Sequence, residues 1–444
     1  MSILRILRPR RSWLTIAAVA LACGLAAPQL WAWAHLRLAQ AAVAASDTNA
    51  AQVSVAVCLG VWPDRVDVHL IASRAARQAG EFEQADRELR TCQKLNGGSS
   101  DEIAFEWALL QAAAGNVREV EDFLQAKVER DPRLGPIVWE SLVEGYLRVF
   151  RTIDAMATVD HWLGQDPENL RALELRGMTF VIGKGVKRGS DDLRRVVERD
   201  PNRLTARAQL VRCLLDLGGY KEATTHLEWL ARDRPDDPEV LARLARCRIM
   251  LDSREEARQA LDAALAVDPD HGLALRTYGQ LALLESQPAE AERWLRRAVA
   301  SFPNDYQTQF MLVRALIQQG KQSEAVAQLR ITEEVKDRAE RVGELQSRKL
   351  GEQPLDPALH VEMALILFRT GQPAEAERWL FSALSLDPDF APAHAALADH
   401  YERTGDKARA AEHRRRVADV AIQNRPQIQN GPQRTQTSTQ IKSR

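Results

Sequence analysis

The segment DPDHGLA, residues 268–274, places an Asp-Pro pair between two apolar, alanine-rich runs. Proline lacks a backbone donor and interrupts a helix, so Pro269 predicts the end of one helix before the start of another. Further prolines are found at Pro201, Pro235 and Pro303, and neighbours in this series are 34 residues apart. A break that recurs at a constant spacing of this length indicates a repeated structural unit, with a proline at each boundary.

Each unit is predicted to be an antiparallel pair of helices. When the proline is set at position 32, position 20 is alanine in nine of eleven units and position 15 is glycine in six. A small residue fits the closest crossing of two packed helices, and glycine can end the first helix and begin the turn. The units begin at Ala32 (degenerate), Val66, Asp101, Pro136, Leu170, Leu204, Pro238, Gly272, Tyr306, Pro357 and Ala391.

Individual units also share aromatic, small and apolar residues at set positions. The unit from Gly272 has Leu275, Tyr278, Gly279, Ala291, Leu295, Ala298 and Pro303, and the unit from Pro136 has Trp139, Leu142, Tyr146, Ala155 and Pro167. This pattern resembles the tetratricopeptide repeat family. The resemblance covers most of residues 66–424 and implies an all-α fold, a right-handed α-solenoid of about ten helix-turn-helix repeats. Trp139 is the only tryptophan at position 4, so the units are divergent, and another solenoid of helical pairs is the alternative.

The N-terminal segment has the composition of a membrane anchor. MSILRILRPRR contains four arginines, and the next 25 residues, Ser12–Leu36, contain no Asp, Glu, Lys or Arg. As a helix they would span about 37 Å, enough to cross a hydrocarbon core of about 30 Å. Trp13 near one end and Trp31 and Trp33 near the other are typical of membrane interfaces. The basic flank predicts a single-pass protein with a cytoplasmic N-terminus and its repeats on the extracytoplasmic side.

Two other interpretations of this segment stay open. A cleaved export signal could end at Ala32-Trp33-Ala34, although its apolar region of about 20 residues would exceed the usual 7–15. A buried helix of a soluble protein is the other alternative.

The composition divides the chain into seven segments. The insertion near residue 340 is highly charged and lacks an apolar face, so a second helix is predicted to continue past its neighbours into solvent. The polar C-terminal end has few groups to bury and is predicted to be disordered. The segments are a basic cytoplasmic stretch (1–11), the transmembrane helix (12–36), a linker or degenerate repeat (37–65), the main array (66–337), the charged insertion (338–356), the C-terminal repeats (357–424) and the tail (425–444).

Charge and motif content argue against several functions. The 60 basic and 61 acidic side chains create no general attraction for nucleic acid. HExxH, CxxC and nucleophile-elbow motifs do not occur in the sequence, so we expect no catalysis, no metal site and no cofactor.

The cysteines also follow the repeat. Cys58 and Cys92 are 34 residues apart, as are Cys213 and Cys247. Equivalent atoms of adjacent repeats should lie at least about 8–10 Å apart, beyond the reach of a disulfide, so these residues are predicted to be small buried hydrophobes. In an oxidising compartment a disulfide is the alternative.

Arginines recur on the surface that the family resemblance makes functional. It implies that positions 2, 5, 9, 12 and 13 of the first helices line a concave groove for extended peptides or partner helices. Position 9 provides Arg212, Arg246, Gln280 and Arg314, and position 5 provides Arg276. Arginine pairs well with carboxylates, which favours an acidic or C-terminal segment of a partner protein. Alternatively, the row only keeps the groove solvated.

These features predict a membrane-anchored scaffold, without catalytic activity, that mediates protein–protein interactions in the cell envelope and assembles a multiprotein complex. The alternative is an accessory subunit of an exopolysaccharide or secretion machine. The sequence indicates no particular oligomeric state.

Overall fold

The structure, a computed structural model, describes residues 8–183, 185–345, 353 and 355–423, with side chains between 26 and 421. Every regular element in these residues is a helix, and the chain forms two compact units, residues 1–354 and 355–444. The first unit contains α1 (Arg8–Ala44), α2 (Thr48–Val61), α3 (Val66–Gln78), α4 (Phe82–Leu95), α5 (Asp101–Ala114), α6 (Glu121–Arg130), α7 (Gly135–Arg148), α8 (Thr152–Gln165), α9 (Leu170–Ile182), α10 (Val186–Arg199), α11 (Leu204–Asp216), α12 (Tyr220–Asp233), α13 (Pro238–Met250), α14 (Arg254–Val267), α15 (Gly272–Leu284), α16 (Pro288–Ser301), α17 (Tyr306–Gln318) and α18 (Gln322–Glu344), with short 3-10 helices at Val117–Glu119 and Pro132–Leu134. The second unit contains α19 (Pro357–Arg369), α20 (Pro373–Leu386), α21 (Ala391–Thr404) and α22 (Lys407–Gln423).

The helices begin where the repeat register predicts. Nine first helices, from α3 at Val66 to α21 at Ala391, begin at position 1 of their unit, and α7 begins one residue early at Gly135. Pro269 lies in the short turn between α14 and α15, so the proline series does mark boundaries between pairs.

The two helices of a pair pack through the small and apolar positions of the second helix. In α16, Ala291 and Leu295 are fully buried and Ala298 is 1% exposed. First helices of adjacent pairs, such as α13 and α15, also contact each other. The first unit is therefore an α-solenoid in which each pair buries its apolar face against its neighbours.

Position 15 requires a left-handed backbone, whichever residue occupies it. Gly218 and Gly320 both have φ of +74° there, whereas Ser286 has φ of +58° and Asp252 has φ of +61°. All ten described residues at this position have positive φ; the eleventh, Lys184, lies outside the described residues. Glycine is frequent here because it lacks the Cβ that makes this conformation unfavourable.

Polar side chains replace the family's tryptophan at position 4 in several units. His69 and His394 donate from Nε2 to the carbonyl oxygens of Pro63 and Pro388, at 2.7 and 2.9 Å. Arg207 and Gln309 likewise donate to the carbonyl oxygens of Pro201 and Pro303. The same four side chains contact position 23 of the second helix, where the chain has Glu88, His413, His226 and Gln328. These hydrogen bonds join the preceding turn to both helices of a pair and explain how divergent units keep their packing.

The C-terminal part of α1 is the first helix of the degenerate unit. Ala32 is fully buried and Leu36 is 3% exposed, in one cluster with Ala51, Val55 and Cys58 of α2. The last residues of the predicted span 12–36 therefore belong to this pair, whereas the side chains of residues 12–25 lie outside the described ones. Among the helices that the structure describes, none combines the length and the hydropathy needed to cross a membrane.

The charged insertion begins as a helical extension. Helix α18 has 23 residues, against 14 in α16. Residues 346–352, within the predicted insertion 338–356, and the predicted tail 425–444 lie outside the described residues.

All four cysteines that were predicted to be buried are free thiols in the core: Cys58, Cys92, Cys213 and Cys247. Burial, together with the nearby Glu88 carboxylate, raises the pKa of the Cys92 thiol to about 12, so this group stays protonated. The structure thus agrees with small buried hydrophobes rather than with disulfides.

Candidate functional site

The five residues selected from the sequence lie on four successive first helices and border two adjoining cavities of about 420 and 320 Å³. Arg212 of α11 borders the first cavity, whereas Gln280 of α15 and Arg314 of α17 border the second. Arg246 of α13 and Arg276 of α15 border both. We call this continuous surface the arginine groove, defined by Arg212, Arg246, Arg276, Gln280 and Arg314.

Arg276 is held by an internal ion pair. Its Nη1 lies 2.6 Å from Oδ2 of Asp305, the residue that caps the N-terminus of α17. Asp305 also accepts hydrogen bonds from Thr308 Oγ1 at 2.6 Å and from the backbone NH of Gln307 at 3.1 Å. Although burial opposes ionisation, these hydrogen bonds and the guanidinium lower the pKa of Asp305 below its usual value. Arg276 therefore joins α15 to α17 and is largely neutralised.

The other three arginines keep their charge available. Arg212, Arg246 and Arg314 form no ion pair or hydrogen bond with any other described residue. Arg212 and Arg314 are exposed and Arg246 is half-buried. Two carboxylates also border the first cavity: Asp216, and Glu239, whose Oε1 accepts from Arg243 at 2.7 Å. The net effect is three free cations along one wall.

Apolar side chains lie between these cations. The second cavity is also bordered by Met250, Leu284, Tyr306 and Phe310, all of which are exposed. Met250 and Leu284 are at position 13 of their units, and Phe310 is at position 5. The family resemblance assigns both positions to the groove. Sequence reasoning selected the arginines and missed these residues, although the repeat register was sufficient to find them.

A third cavity, of about 370 Å³, lies elsewhere in the first unit, and its arginines are paired with carboxylates of the chain. It is bordered by Arg171 of α9, whose guanidinium contacts Glu140 at 2.7 Å, Glu144 at 2.5 Å and Glu174 at 3.1 Å. Arg74 at the same cavity contacts Glu106 at 2.7 Å. Since carboxylates of the chain already pair with these cations, this cavity offers little attraction for an external anion.

Comparison with known proteins identifies the repeats. The model of the tetratricopeptide repeat family matches residues 191–242, 220–281 and 282–349, which include all five residues of the arginine groove, so these segments are tetratricopeptide repeats. No curated protein matches the chain.

Solved structures with similar folds have low sequence identity. A crystal structure of MamA is 17% identical, with coverage of 39% of this chain and 96% of that one and a TM-score of 0.33. A tetratricopeptide repeat protein from Parabacteroides merdae ATCC 43184 is 15% identical, with coverage of 56% and 98% and a TM-score of 0.37. A monomeric IFIT1 mutant with Gppp-AAAA is 16% identical, with coverage of 80% and 90% and a TM-score of 0.37.

Proposed function

Given tetratricopeptide repeats across residues 191–349, we propose that the arginine groove binds an extended acidic segment of a partner protein and that the chain is a non-catalytic scaffold. The observation that supports this most directly is a contrast between two cavities. The arginine groove has three free arginines, whereas Arg74 and Arg171 of the third cavity are paired with carboxylates of the chain. A partner carboxylate can form bidentate hydrogen bonds with a free guanidinium but must compete for a paired one.

The exposed apolar residues of the arginine groove indicate which side chains the bound segment should contain besides acidic ones. Met250, Leu284 and Phe310 are exposed beside the cations, so a segment that alternates acidic and large apolar side chains satisfies both kinds of group. The apolar contacts add affinity through buried area, and the arginines add specificity and register.

A fluorescent peptide that alternates glutamate with leucine provides a defined probe for anisotropy titrations. Replacing Arg212, Arg246 and Arg314 together with Gln should weaken binding by up to about 3 kcal/mol, roughly a hundredfold in Kd, because each exposed ion pair contributes up to about 1 kcal/mol. The loss should shrink at high salt, which screens exposed charges.

The matched control removes the same charge elsewhere. Arg87, Arg130 and Arg330 are exposed on the second helices α4, α6 and α18, away from the groove. Their triple replacement with Gln should leave the affinity unchanged. Equal losses from both triple variants, or no loss from either, would show that the arginine groove does not bind acidic segments.

We further propose that the chain is a single-pass envelope protein, with its N-terminus in the cytoplasm and its repeats outside, where it assembles a multiprotein complex. Because Ala32 packs in the first helical pair, we propose that the span covers residues 12–31 rather than 12–36. As a helix these residues are still about 30 Å long, the thickness of a hydrocarbon core. The four arginines of residues 1–11 support the orientation.

Intact-mass analysis and protease protection test this topology. The expected result is an uncleaved chain whose repeats are digested by protease added to cells with a permeabilised outer surface and protected in inverted vesicles. A mature chain that begins near His35, or the reverse protection pattern, contradicts the proposal.

A further inference from the structure

The C-terminal end of the chain has a charge balance unlike that of the rest. Residues 407–444 contain nine Lys and Arg but only two acidic residues, Glu412 and Asp419. The whole chain has 60 basic and 61 acidic side chains, so the rest of it is net acidic. An end helix of a solenoid must face water, which explains polar side chains there but not their excess of positive charge. An asymmetry of this kind is typical of a chain whose basic end contacts a polyanion.

Three of these cations are exposed and unpaired on the last helix, α22. Lys407, Arg415 and Arg416 are exposed, and they form no ion pair or side-chain hydrogen bond with any other described residue. The other two arginines of this helix form ion pairs with carboxylates of the same unit, at 3.5 and 2.7 Å. The three unpaired cations therefore keep their charge available for a partner. We call Lys407, Arg415 and Arg416 the basic surface of α22.

The arrangement of the basic surface suits a flat partner. Lys407 and Arg415 are eight residues apart, so they lie on similar sides of the helix and about 12 Å apart along its axis. Ala411 and Ala418 lie on the same side and are exposed. Arg416 flanks this side, and its long stem lets the guanidinium reach the same plane. Because alanine separates the long side chains, a plane of many anionic groups can contact all three cations at once.

The composition of the segment favours lipid headgroups over nucleic acid as the polyanion. Residues 407–444 contain no Phe, Trp or Tyr, the side chains on which bases stack in complexes with single strands. Residues 425–444 add four basic residues and no acidic one, which brings the number of cations without a carboxylate partner to seven. Clusters of four to eight Lys and Arg on or beside an amphipathic helix are typical of binding to anionic phospholipids.

We propose that the basic surface of α22, together with the basic residues of 425–444, binds anionic phospholipid headgroups at a membrane surface. Each contact is an ion pair between an ammonium or guanidinium group and a lipid phosphate. The contact uses neither the arginine groove nor a transmembrane span. Its failure would therefore leave the proposed function intact, and the reverse also holds.

Energy transfer from a fluorescent dye to acceptor lipids tests this contact in the full-length protein. Cys23→Ala leaves four cysteines, all buried, so the dye attaches at Ala421→Cys, an exposed position near the end of α22 and outside the basic surface. The protein is reconstituted into vesicles of phosphatidylcholine, alone or mixed with an equal amount of phosphatidylglycerol. Transfer should be higher in the mixed vesicles, because anionic headgroups attract α22 towards the acceptors, and salt that screens the charges should remove this gain.

Neutralising the basic surface should abolish the gain. Each cation near an anionic surface strengthens binding roughly fivefold. Replacing Lys407, Arg415 and Arg416 together with Gln should therefore reduce surface contact about a hundredfold and lower the transfer to its value in phosphatidylcholine. Since all three side chains are exposed, the circular dichroism of the variant should match that of the wild type.

The matched control is the triple Gln variant of Arg87, Arg130 and Arg330, which removes the same charge from second helices of the first unit and should keep the full gain. An absence of gain in the mixed vesicles, or equal losses from both triple variants, overturns the proposal. A gain that inorganic phosphate abolishes at the ionic strength of the assay also overturns it, because the cations would then form a site for free phosphate. Tighter binding of a single-stranded oligonucleotide than of the mixed vesicles would assign the basic surface to nucleic acid instead.

Discussion

Gly145 provides the sharpest test of how the helical pairs pack. It lies in α7, and a Cβ added there would come within 2.0 Å of the Ala112 carbonyl oxygen in α5 and 2.7 Å of Val117 Cγ2. Carbon and oxygen approach no closer than about 3.3 Å in a favourable contact, so α7 must move about 1.3 Å away from α5 in a Gly145→Ala protein. The surrounding core is tight, since Leu109 is fully buried and Tyr146 is 2% exposed.

The cost can be estimated from these distances. Overpacking a core costs about 1–3 kcal/mol, and a clash with backbone rather than with a flexible side chain corresponds to the upper part of that range. The higher helix propensity of alanine offsets up to about 1 kcal/mol of this destabilisation. We therefore expect Gly145→Ala to lower the free energy of unfolding by about 2 kcal/mol.

Gly164 in α8 is the matched control, because nothing lies within 4 Å of a Cβ added there. Gly164→Ala should leave stability unchanged or raise it by up to about 1 kcal/mol. Urea unfolding followed by circular dichroism compares the two midpoints. If Gly145→Ala is as stable as Gly164→Ala, the close approach of α5 and α7 does not exist as described.

Three further predictions concern single positions of the repeat. Ser286→Gly should stabilise the protein by about 1 kcal/mol in thermal melts, because Ser286 has φ of +58° and glycine relieves that strain; a lower midpoint would contradict it. Ala291→Leu should destabilise it by about 1–3 kcal/mol, since Ala291 is fully buried where α15 and α16 cross, and an unchanged midpoint would mean that the helices separate at no cost. Burial and the adjacent His394 lower the pKa of His413 below the usual histidine value of about 6.5, so the unfolded chain binds the proton more readily and the second unit should lose stability as pH falls below about 6.5. Replacing both histidines with Gln, which reproduces the Gln309–Gln328 pair at the same two positions, should weaken this pH dependence in melts above and below pH 6.5; an identical dependence would exclude the histidine pair as its source.

The repeat register was readable from the sequence because it depends on local rules. Proline at position 32 ends a helix in any context, a small residue is favoured at position 20 because two helices cross closely there, and a left-handed backbone is required at position 15. Helix starts from Val66 to Ala391 therefore follow from the sequence with little reference to the rest of the chain. The same register placed Arg212, Arg246 and Arg314 on one wall, because equivalent positions of stacked pairs share a face.

Tertiary structure decided which of these side chains remain available. Arg276 occupies a predicted groove position, yet its partner Asp305 is 29 residues away and is aligned only when α15 and α17 pack together. The replacement of tryptophan by His69 or Gln309 likewise depends on carbonyl groups of the preceding turn, which no single unit contains. Periodic positions are determined by each unit's own backbone, whereas ion pairs and hydrogen bonds between units depend on how neighbouring units stack, and a repeat pattern does not encode that information.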